Sequence, residues 1–540
     1  MSNTTTTAIS SDETLTIFKA CSEAIDYDDG ANAYALLQCV SSHIESDIDA
    51  TQHALRSYLL LLSGALIFFM QAGFAMLVAG SVRRKNTRNS MLKNLLDAVG
   101  AAIAYFCVGY GFAFGGEMNE FAGSGLPDTT FIGLENFFGQ GEIDYPFYFF
   151  QYTFFAASVT IVAGTLAERC QMGAYLGYSM FLTGFVYPVV AHAAWTAKGF
   201  LSPTHVEPLL GIGMVDFSGS GVVHCTGGFT ALYATKILGS RRGRFYDINT
   251  GAALDVPKPM PGHSVALQML GSFILWFGWY GFNPGTALLL TDNPYQAEIG
   301  ALCAVNTFMA SSGACIAALI VKMIWSYRET GRYSFDLLAA MNGTLSGLVS
   351  ITAGCATLDL WAAFLVGAIA GVLYVFGSDL LVRIQIDDAV DAIPVHAMGG
   401  AWGVIAVGLF SVPKRLAQIY GEEAGKHPGF FYSFSNGGVN ADLLACQVVG
   451  ILFIIAWTMA TMFPFFIWLN FMGWFRTGSV QELVGLDIAY NLDGGEAAAA
   501  DEGGAGAAEE DMKPEYLDAY QRYREVMREQ RIQDQEEEDP

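Results

Sequence analysis

Two copies of one short pattern each place a histidine in an apolar setting. The first copy begins at Asp216 and the second at Asp388, and both read D-x7-H-x-x-G-G. Their histidines, His224 and His396, are flanked by apolar and small residues. Imidazole donates or accepts a hydrogen bond and titrates near neutrality, and two neighbouring imidazoles can share one proton. The pattern therefore predicts a paired-histidine path for a small hydrogen-bonding solute.

Three aromatic residues lie where such a path would open. Phe154 and Phe282 fall within apolar stretches, and Trp195 follows a third. Aromatic faces attract cations by roughly 0.5–2 kcal/mol, whereas a bare cation inside an apolar path loses its hydration at a high cost. The residues therefore predict a site that recruits a small cation outside, strips a proton and passes the neutral base. The alternatives are core packing for the phenylalanines and an interfacial position for Trp195.

Few polar residues lie at membrane depth, and an aqueous ion channel would need more hydrophilic rings. They are Gln151, Glu168, His192, His224, Asn283, Asn306, Asn342 and His396.

The nine cysteines show no C-x-x-C spacing, and the close-spaced histidine motifs of metal enzymes are absent. We therefore expect no cofactor and no metal, and we disfavour a membrane enzyme. A single histidine could serve only to bridge two helices, but a duplicated pair argues against that interpretation.

The composition is that of a membrane protein. Of the 540 residues, 53% are hydrophobic and 14% are charged, whereas a soluble protein carries about a quarter charged residues. Stretches long enough to cross a bilayer recur along the chain. We predict an all-α integral membrane protein with about eleven transmembrane helices, at residues 57–80, 91–115, 146–166, 172–192, 219–239, 263–284, 297–325, 335–354, 359–382, 393–412 and 441–473.

Basic residues set the orientation of these helices, because cytoplasmic loops are richer in Lys and Arg. One side holds Arg83, Arg84, Lys85, Arg88, Arg241, Arg242, Arg244, Lys258, Arg328 and Arg332. The other side holds Lys198, Lys414, Arg415 and Lys426. We therefore predict an extracellular N-terminus, a cytoplasmic C-terminus and, without a visible signal peptide, a multi-pass protein of a eukaryotic plasma membrane.

The histidine pattern recurs in the fifth and tenth spans. It divides the membrane body into two units of five spans, followed by one extra helix. Because five is odd, the two units must be inverted relative to each other.

Asp216 and Asp388 lie near helix starts, where N-capping explains both, and Asp216 would also favour an incoming cation. On the cytoplasmic side, Asp387, Asp388 and Asp391 would favour cation exit.

The ends of the chain carry most of its net charge of −24. Residues 1–56 are predicted to form an extracellular segment, partly helical around Ala31–Ile48, whose Cys21 and Cys39 either form a disulfide, within or between subunits, or remain free. The membrane domain covers 57–475 and a cytoplasmic segment covers 476–490. Residues 491–540 hold sixteen acidic and five basic residues. They are predicted to be a largely disordered tail, with a polar helix at Asp511–Gln535, that could hold a cytoplasmic regulator but no nucleic acid.

Residues 57–490 resemble the ammonium transporter/methylammonium permease/Rhesus family, most closely its plant-type branch. The stretches that carry the resemblance are Gln151–Phe154, Gly164–Arg169, Asp216–His224, Trp279–Thr286, Ile351–Cys355 and Val395–Gly400. Each stretch alone is weak, but together they are specific. The resemblance implies a homotrimer in the lipid bilayer, with one path for ammonium and ammonia through each subunit and a role in nitrogen uptake.

The resemblance also implies roles for the outer residues. Trp195, Phe154 and the hydroxyl of Thr286 would form the external ammonium site, which Asp216 would stabilise without direct contact. Phe154 and Phe282 would form a stacked gate. The hydroxyl position is often serine in the family, and the extra methyl of Thr286 could crowd a substrate larger than ammonium.

Further in, the resemblance makes His224 and His396 the pore histidines and places Gln151 near the proton path. It also implies a cytoplasmic coupling segment, whose regulatory residues here are Glu482, Gly485 and Asp487. Plant-type members carry a regulatory threonine where this chain has Ala489, so phosphorylation at that position is excluded.

We therefore expect an electrogenic ammonium uptake transporter. Ammonium is bound and deprotonated, ammonia crosses, and the proton follows by way of Gln151, His224 and His396. Two alternatives remain open: a passive channel for ammonia or carbon dioxide, and an ammonium sensor that signals through the tail.

Overall fold

The computed structural model describes residues 16–19, 21–22, 31–116, 129–248, 250–291, 293–434 and 438–490. In these residues every regular element is a helix and no β-strand occurs, which confirms the predicted all-α class. The chain divides into two units, residues 1–61 and 62–540. The predicted acidic tail, residues 491–540, and its helix at Asp511–Gln535 lie outside the described residues.

The first unit is dominated by the start of helix α1, Ala31–Ser81. The helix predicted around Ala31–Ile48 is therefore part of one unbroken helix that continues into the second unit. A disulfide joins Cys21 to Cys39 within the chain, and Cys21 is fully buried. Of the alternatives for these two cysteines, the structure shows the intrachain bond.

The remaining long helices belong to the second unit. They are α2 (Arg84–Phe114), α3 (Tyr145–Leu166), α4 (Met172–Trp195), α5 (Ser220–Cys225 continued by Thr226–Leu238), α6 (Val265–Leu289), α7 (Gln296–Thr330), α8 (Leu337–Ile351), α9 (Leu360–Arg383), α10 (Ile393–Phe410) and α11 (Asp442–Phe471).

Within the described residues, nine of the eleven helices α1 to α11 are long and apolar enough to cross a membrane. This finding confirms a multi-pass membrane protein, while eleven crossings remain a prediction. The two helices that fall short are α5 and α8, whose residues are mostly buried. Because these helices face other helices more than lipid, small and hydroxyl-bearing residues replace apolar ones in them.

Side chains at the predicted helix starts explain where several helices begin. Asp144 before α3, Ser264 before α6 and Asp336 before α8 each accept a hydrogen bond from the backbone N–H three residues on, at 3.0–3.3 Å. Such caps satisfy backbone donors that have no partner within the first helical turn. These short polar residues agree with the starts predicted near residues 146, 263 and 335.

A buried ion-pair cluster joins the loops that follow α1, α3, α5 and α9. Arg241 contacts Asp387 at 2.8 Å and Glu168 at 3.1 Å, and Arg83 also pairs with Glu168. Burial alone would raise the pKa of both carboxyls, but Arg241 outweighs it at each, with Arg83 helping at Glu168 and Arg169 at Asp387. Their pKa values therefore lie below the ordinary range. Since Asp387 is held by Arg241, the expectation that it favours cation exit does not fit its position.

We expect the detergent-solubilised protein to lose thermal stability as the pH falls below about 4. A carboxyl whose pKa is depressed in the folded state contributes stability above its unfolded pKa, and the contribution is lost as the pH falls through the folded value. Melting temperatures recorded from about pH 7 to about pH 3 test this for Glu168 and Asp387. Asp379→Asn, which removes a more exposed ion pair with Arg383, is the control and should show the same acid loss. A flat profile would contradict the role of the cluster.

Candidate functional site

His224 and His396 meet in the interior of the second unit. Their Nδ1 atoms lie 3.2 Å apart, and their ring centroids are 5.2 Å apart with planes inclined by 26°. A contact of this kind needs one Nδ1–H to donate to the other ring's Nδ1. Nε2 of His224 is buried and has no hydrogen-bond partner among the described residues. The structure thus brings together the two predicted histidines and leaves a ring nitrogen available to a solute.

Each histidine lies in a π-helical turn, which the sequence analysis did not foresee. His224 lies in the turn Ser220–Cys225 and His396 in the turn Ile393–Met398. Such turns are rare and occur often at functional sites, because the extra residue widens the helix and redirects side chains. Both copies of the sequence pattern therefore adopt the same uncommon backbone at the same position.

The two repeated aspartates cap these turns. Asp216 accepts three backbone N–H bonds from the residues that follow it, at 2.8–3.1 Å. Asp388 accepts two, at 2.7 and 3.2 Å. Burial raises the pKa of Asp216 to about 6 even though its hydrogen bonds oppose this. Burial, together with the neighbouring Asp391, raises the pKa of Asp388 to about 7.

Aromatic rings form a column that leads to the histidines. Phe154 and Phe282 have centroids 4.2 Å apart, and the ring of Phe282 lies 5.7 Å from that of His224 with an angle of 24° between planes. Trp195 meets Phe154 edge-on at 5.9 Å. Trp195 is fixed by a hydrogen bond of 2.8 Å from its Nε1 to the backbone oxygen of Asp216. The predicted outer aromatic residues and one histidine are therefore contiguous.

The two remaining predicted residues lie on the helices that carry this column. Thr286 is one turn after Phe282 on α6, and its hydroxyl donates to the Phe282 carbonyl oxygen at 3.0 Å. Gln151 is one turn before Phe154 on α3 and is buried, and its side-chain oxygen has no hydrogen-bond partner among the described residues. An unpartnered buried acceptor of this kind suits a bound solute or water.

Trp279 is a site residue to which the sequence analysis gave no role. Its ring lies 5.5 Å from that of His224, nearly parallel at 18°, and its Nε1 donates to the Thr352 hydroxyl at 3.0 Å. It therefore holds one face of the imidazole in place. The sequence feature that could have pointed to Trp279 is its position three residues before Phe282. This spacing puts both rings on one face of α6.

The second glycine in each copy of the repeated pattern is explained by a close helix crossing. A Cβ added at Gly228 would lie 2.3 Å from the backbone nitrogen of Ala397. A Cβ added at Gly400 would lie 2.5 Å from the backbone oxygen of Ser220. The second glycine of each copy thus lets α5 and α10 approach closely enough for the two histidines to touch.

The predicted coupling segment packs against the start of α2. Asp487 accepts hydrogen bonds from the backbone N–H groups of Arg88 and Asn89 at 3.0 and 2.7 Å. Gly485 has a φ of +117°, and a Cβ there would lie 2.7 Å from Lys85. Glu482 is buried and accepts hydrogen bonds from the Arg476 side chain, at 2.9 Å to each oxygen. Gly485 and Asp487 therefore fasten this segment to the start of α2, and Glu482, which also accepts a hydrogen bond from the backbone N–H of Arg242 at 2.8 Å, fastens it to the loop after α5.

This arrangement defines a class of protein: a multi-pass helical membrane protein in which an aromatic column leads to a buried pair of histidines. Such a site has binding groups for a small polar solute. The family can be identified from similarity. The profile described as the Ammonium Transporter Family matches residues 58–494, and the chain belongs to this family.

Similar proteins and solved structures agree with this family assignment. Ammonium transporter 1 member 1 of Oryza sativa subsp. japonica is 42% identical over 76% of this chain and 80% of its own length. Ammonium transporter 1 member 1 of Arabidopsis thaliana is 40% identical over 76% of this chain and 79% of its own. The solved structure named Sensor Amt Protein is 28% identical, with a TM-score of 0.66, over 82% of this chain and 99% of that one. The predicted membership in the family, on its plant-type side, is confirmed.

Proposed function

We propose that this protein takes up ammonium by binding it at the outer aromatic residues, deprotonating it and passing ammonia through the histidine pair while the proton follows. The observation that carries the proposal is the continuous column from Trp195 through Phe154 and Phe282 to His224 and His396. Aromatic faces suit a cation, while buried imidazoles suit a neutral base.

Recruitment depends on the outer end of the column. The faces of Trp195 and Phe154 attract ammonium by the cation–π effect, and the Thr286 hydroxyl supplies a hydrogen-bond acceptor. Asp216 positions Trp195 through its backbone oxygen and adds negative charge without entering the site. Beyond this point the aromatic rings offer no hydrogen bonds, so a charged solute would be destabilised and only the neutral base should advance.

The proton needs a separate set of carriers. Gln151 lies one turn before Phe154 on α3 and has a buried oxygen without a hydrogen-bond partner among the described residues, and the two histidines share a single hydrogen bond through their Nδ1 atoms. Once a proton released from ammonium has charged one ring, transfer of that ring's Nδ1 proton along this bond leaves it neutral and charges the other ring. This set of groups supports charge transfer with the substrate.

The same proposal includes the arrangement in the membrane. Eleven crossings in two inverted five-helix units place the N-terminus outside and the C-terminus in the cytoplasm. Three copies form a homotrimer in the plasma membrane, each with its own path. Gly485 and Asp487 couple the cytoplasmic segment to the start of α2, Glu482 couples it to the loop after α5, and the acidic tail beyond residue 490 is the place for a regulator.

Removal of the inner gate ring tests the aromatic column. We expect Phe282→Ala to alter ammonium uptake into reconstituted vesicles at least about threefold, a change of roughly 0.7 kcal/mol, with little loss of folded protein. The reason is that Phe282 contacts both Phe154 and His224. Phe273→Ala, an exposed ring on the same helix, is the matched control and should leave uptake unchanged. Normal uptake and selectivity in Phe282→Ala would reduce Phe282 to a packing residue.

The second candidate function, ammonium sensing, is favoured by the similarity to the structure named Sensor Amt Protein. Deletion of residues 491–540 separates the two functions. A transporter should conduct ammonium at an unchanged rate per folded subunit after the deletion. A sensor should lose its cellular response to ammonium while any conduction remains.

A further inference from the structure

The N-terminal part of α1 carries an apolar seam with the spacing of a coiled coil. Apolar or small side chains recur at alternating intervals of three and four residues, at Tyr34, Leu37, Ser41, Ile44, Ile48, Thr51, Leu55 and Tyr58. Residues 34, 41, 48 and 55 occupy the a positions of a heptad repeat, and residues 37, 44, 51 and 58 occupy the d positions. A seam sustained over more than three heptads is the pattern by which helices wind around each other.

The seam is uncovered in the single chain. The exposed fractions are 75% for Tyr34, 70% for Leu37, 46% for Ile48, 58% for Leu55 and 71% for Tyr58. Large apolar side chains aligned along one helix face usually mark an interaction surface. In proteins, most helical stability also comes from packing of an apolar face and not from intrinsic propensity. Both facts indicate that a partner covers this face.

The packing within this unit uses the opposite face of the helix. Cys39, which forms the disulfide with Cys21, occupies an f position, and Leu36, only 8% exposed, occupies a c position. These positions point away from the a and d seam. The disulfide therefore fastens Cys21 to the back of the helix, away from the seam.

Charge along the edges of the seam permits a parallel pairing of identical helices. In a parallel coiled coil, each g residue faces the e residue five positions later on the neighbouring helix. The pairs formed here are Val40 with Glu45, Asp47 with Gln52 and Ala54 with Leu59. None of these pairs brings together two like charges. Copies of this chain in one membrane also share the same orientation, so their α1 helices are parallel.

We infer that residues 34–58 of α1 form a parallel coiled coil with the same residues of other copies of this chain, on the N-terminal side of the membrane domain. The partner is thus a second copy, and a third where the protein is a trimer. This surface shares no residue with the proposed transport path, and it would add contacts between subunits. It does not depend on the proposed function.

Single cysteines placed along the helix test this inference in the full-length protein in native membranes. Ile48→Cys lies on the seam and Ser46→Cys, at an exposed f position, lies on the back. With copper phenanthroline as oxidant, two thiols lose two electrons and two protons to form one disulfide. We expect the Ile48→Cys chain to form a covalent dimer at least about tenfold faster than the Ser46→Cys chain, because only seam positions bring their Cβ atoms within disulfide reach.

A second substitution checks that the crosslink requires the seam. Leu55→Asp, added to Ile48→Cys, should abolish the fast crosslink by placing a charge in the apolar seam, whereas His53→Asp, on the back, should not. Unchanged ammonium uptake in all variants shows that the membrane domain is folded. Equal rates for Ile48→Cys and Ser46→Cys, or no crosslink at either position, would overturn the inference whatever the protein transports.

Discussion

Replacing both pore histidines, His224→Ala with His396→Ala, is expected to lower the ammonium-selective current at least about tenfold while the protein stays folded. Proton transfer by a positioned side chain contributes roughly 10²–10⁴ in rate. The double variant has no titratable side chain at the place where the imidazole rings of His224 and His396 meet in the wild-type protein. The path would then either close to the substrate or fill with water and admit other cations, and in both cases the ammonium current in excess of the potassium current falls.

Current in reconstituted vesicles, with ammonium and then potassium as the cation, measures this difference. The control is His205→Ala with His263→Ala, which removes two imidazoles from loops outside α5 and α10. It should conduct like the wild type. If the double pore variant transports ammonium at an unchanged rate and selectivity, the histidines are not the proton relay.

Adding one methyl group at the helix crossing is expected to prevent folding. In Gly228→Ala the new Cβ would lie 2.3 Å from a backbone nitrogen and 2.7 Å from a backbone Cα of residue 397. Overpacking usually costs about 1–3 kcal/mol and sometimes more, and here a flexible side chain cannot yield because the opposing atoms are backbone. We expect a loss of at least about 3 kcal/mol, enough to remove most folded protein. Gly400→Ala should behave similarly.

Size-exclusion profiles and melting temperatures in detergent measure this loss. The matched control is Gly177→Ala in α4, where a Cβ would meet nothing within 4 Å and where alanine favours the helix by about 1 kcal/mol. Gly177→Ala should melt at or above the wild-type temperature. A Gly228→Ala protein that melts normally would mean that α5 and α10 are not in close backbone contact.

The histidine pair could be predicted from the sequence because the pattern that carries each histidine occurs twice. A lone intramembrane histidine is ambiguous, but two in matched D-x7-H-x-x-G-G settings are costly unless they serve one site. The aromatic residues became specific only through the resemblance to a family. Their distances, such as the 4.2 Å between the rings of Phe154 and Phe282, depend on how α3 and α6 pack and cannot be read from either stretch alone.

The π-helical turns and the role of Trp279 lay beyond sequence reasoning for a similar reason. A π turn has no strong local composition, and it persists here because the turns around both histidines are fixed by tertiary contacts. Ser220, for example, donates to the Val349 carbonyl at 2.7 Å. Apolar length is a weaker signal at α5 and α8, since helices buried among other helices need fewer apolar residues than helices that face lipid.

The same limit applied to the charged loops. Glu168 and Asp387 stood in the sequence as a polar residue at membrane depth and a candidate for cation exit. In the structure the carboxylates of both residues form ion pairs with Arg241. Pairing between residues so far apart along the chain is set by the fold, so spacing alone could not reveal it.

The measurement that tests the central claim most directly is the transport current of purified protein in proteoliposomes on a solid-supported membrane, under an ammonium gradient, with internal pH recorded in parallel. The account predicts a saturable current with ammonium that is absent with potassium, because a proton crosses with each ammonia. Rapid internal alkalinisation without current would contradict it, since neutral ammonia would then pass alone as in a gas channel.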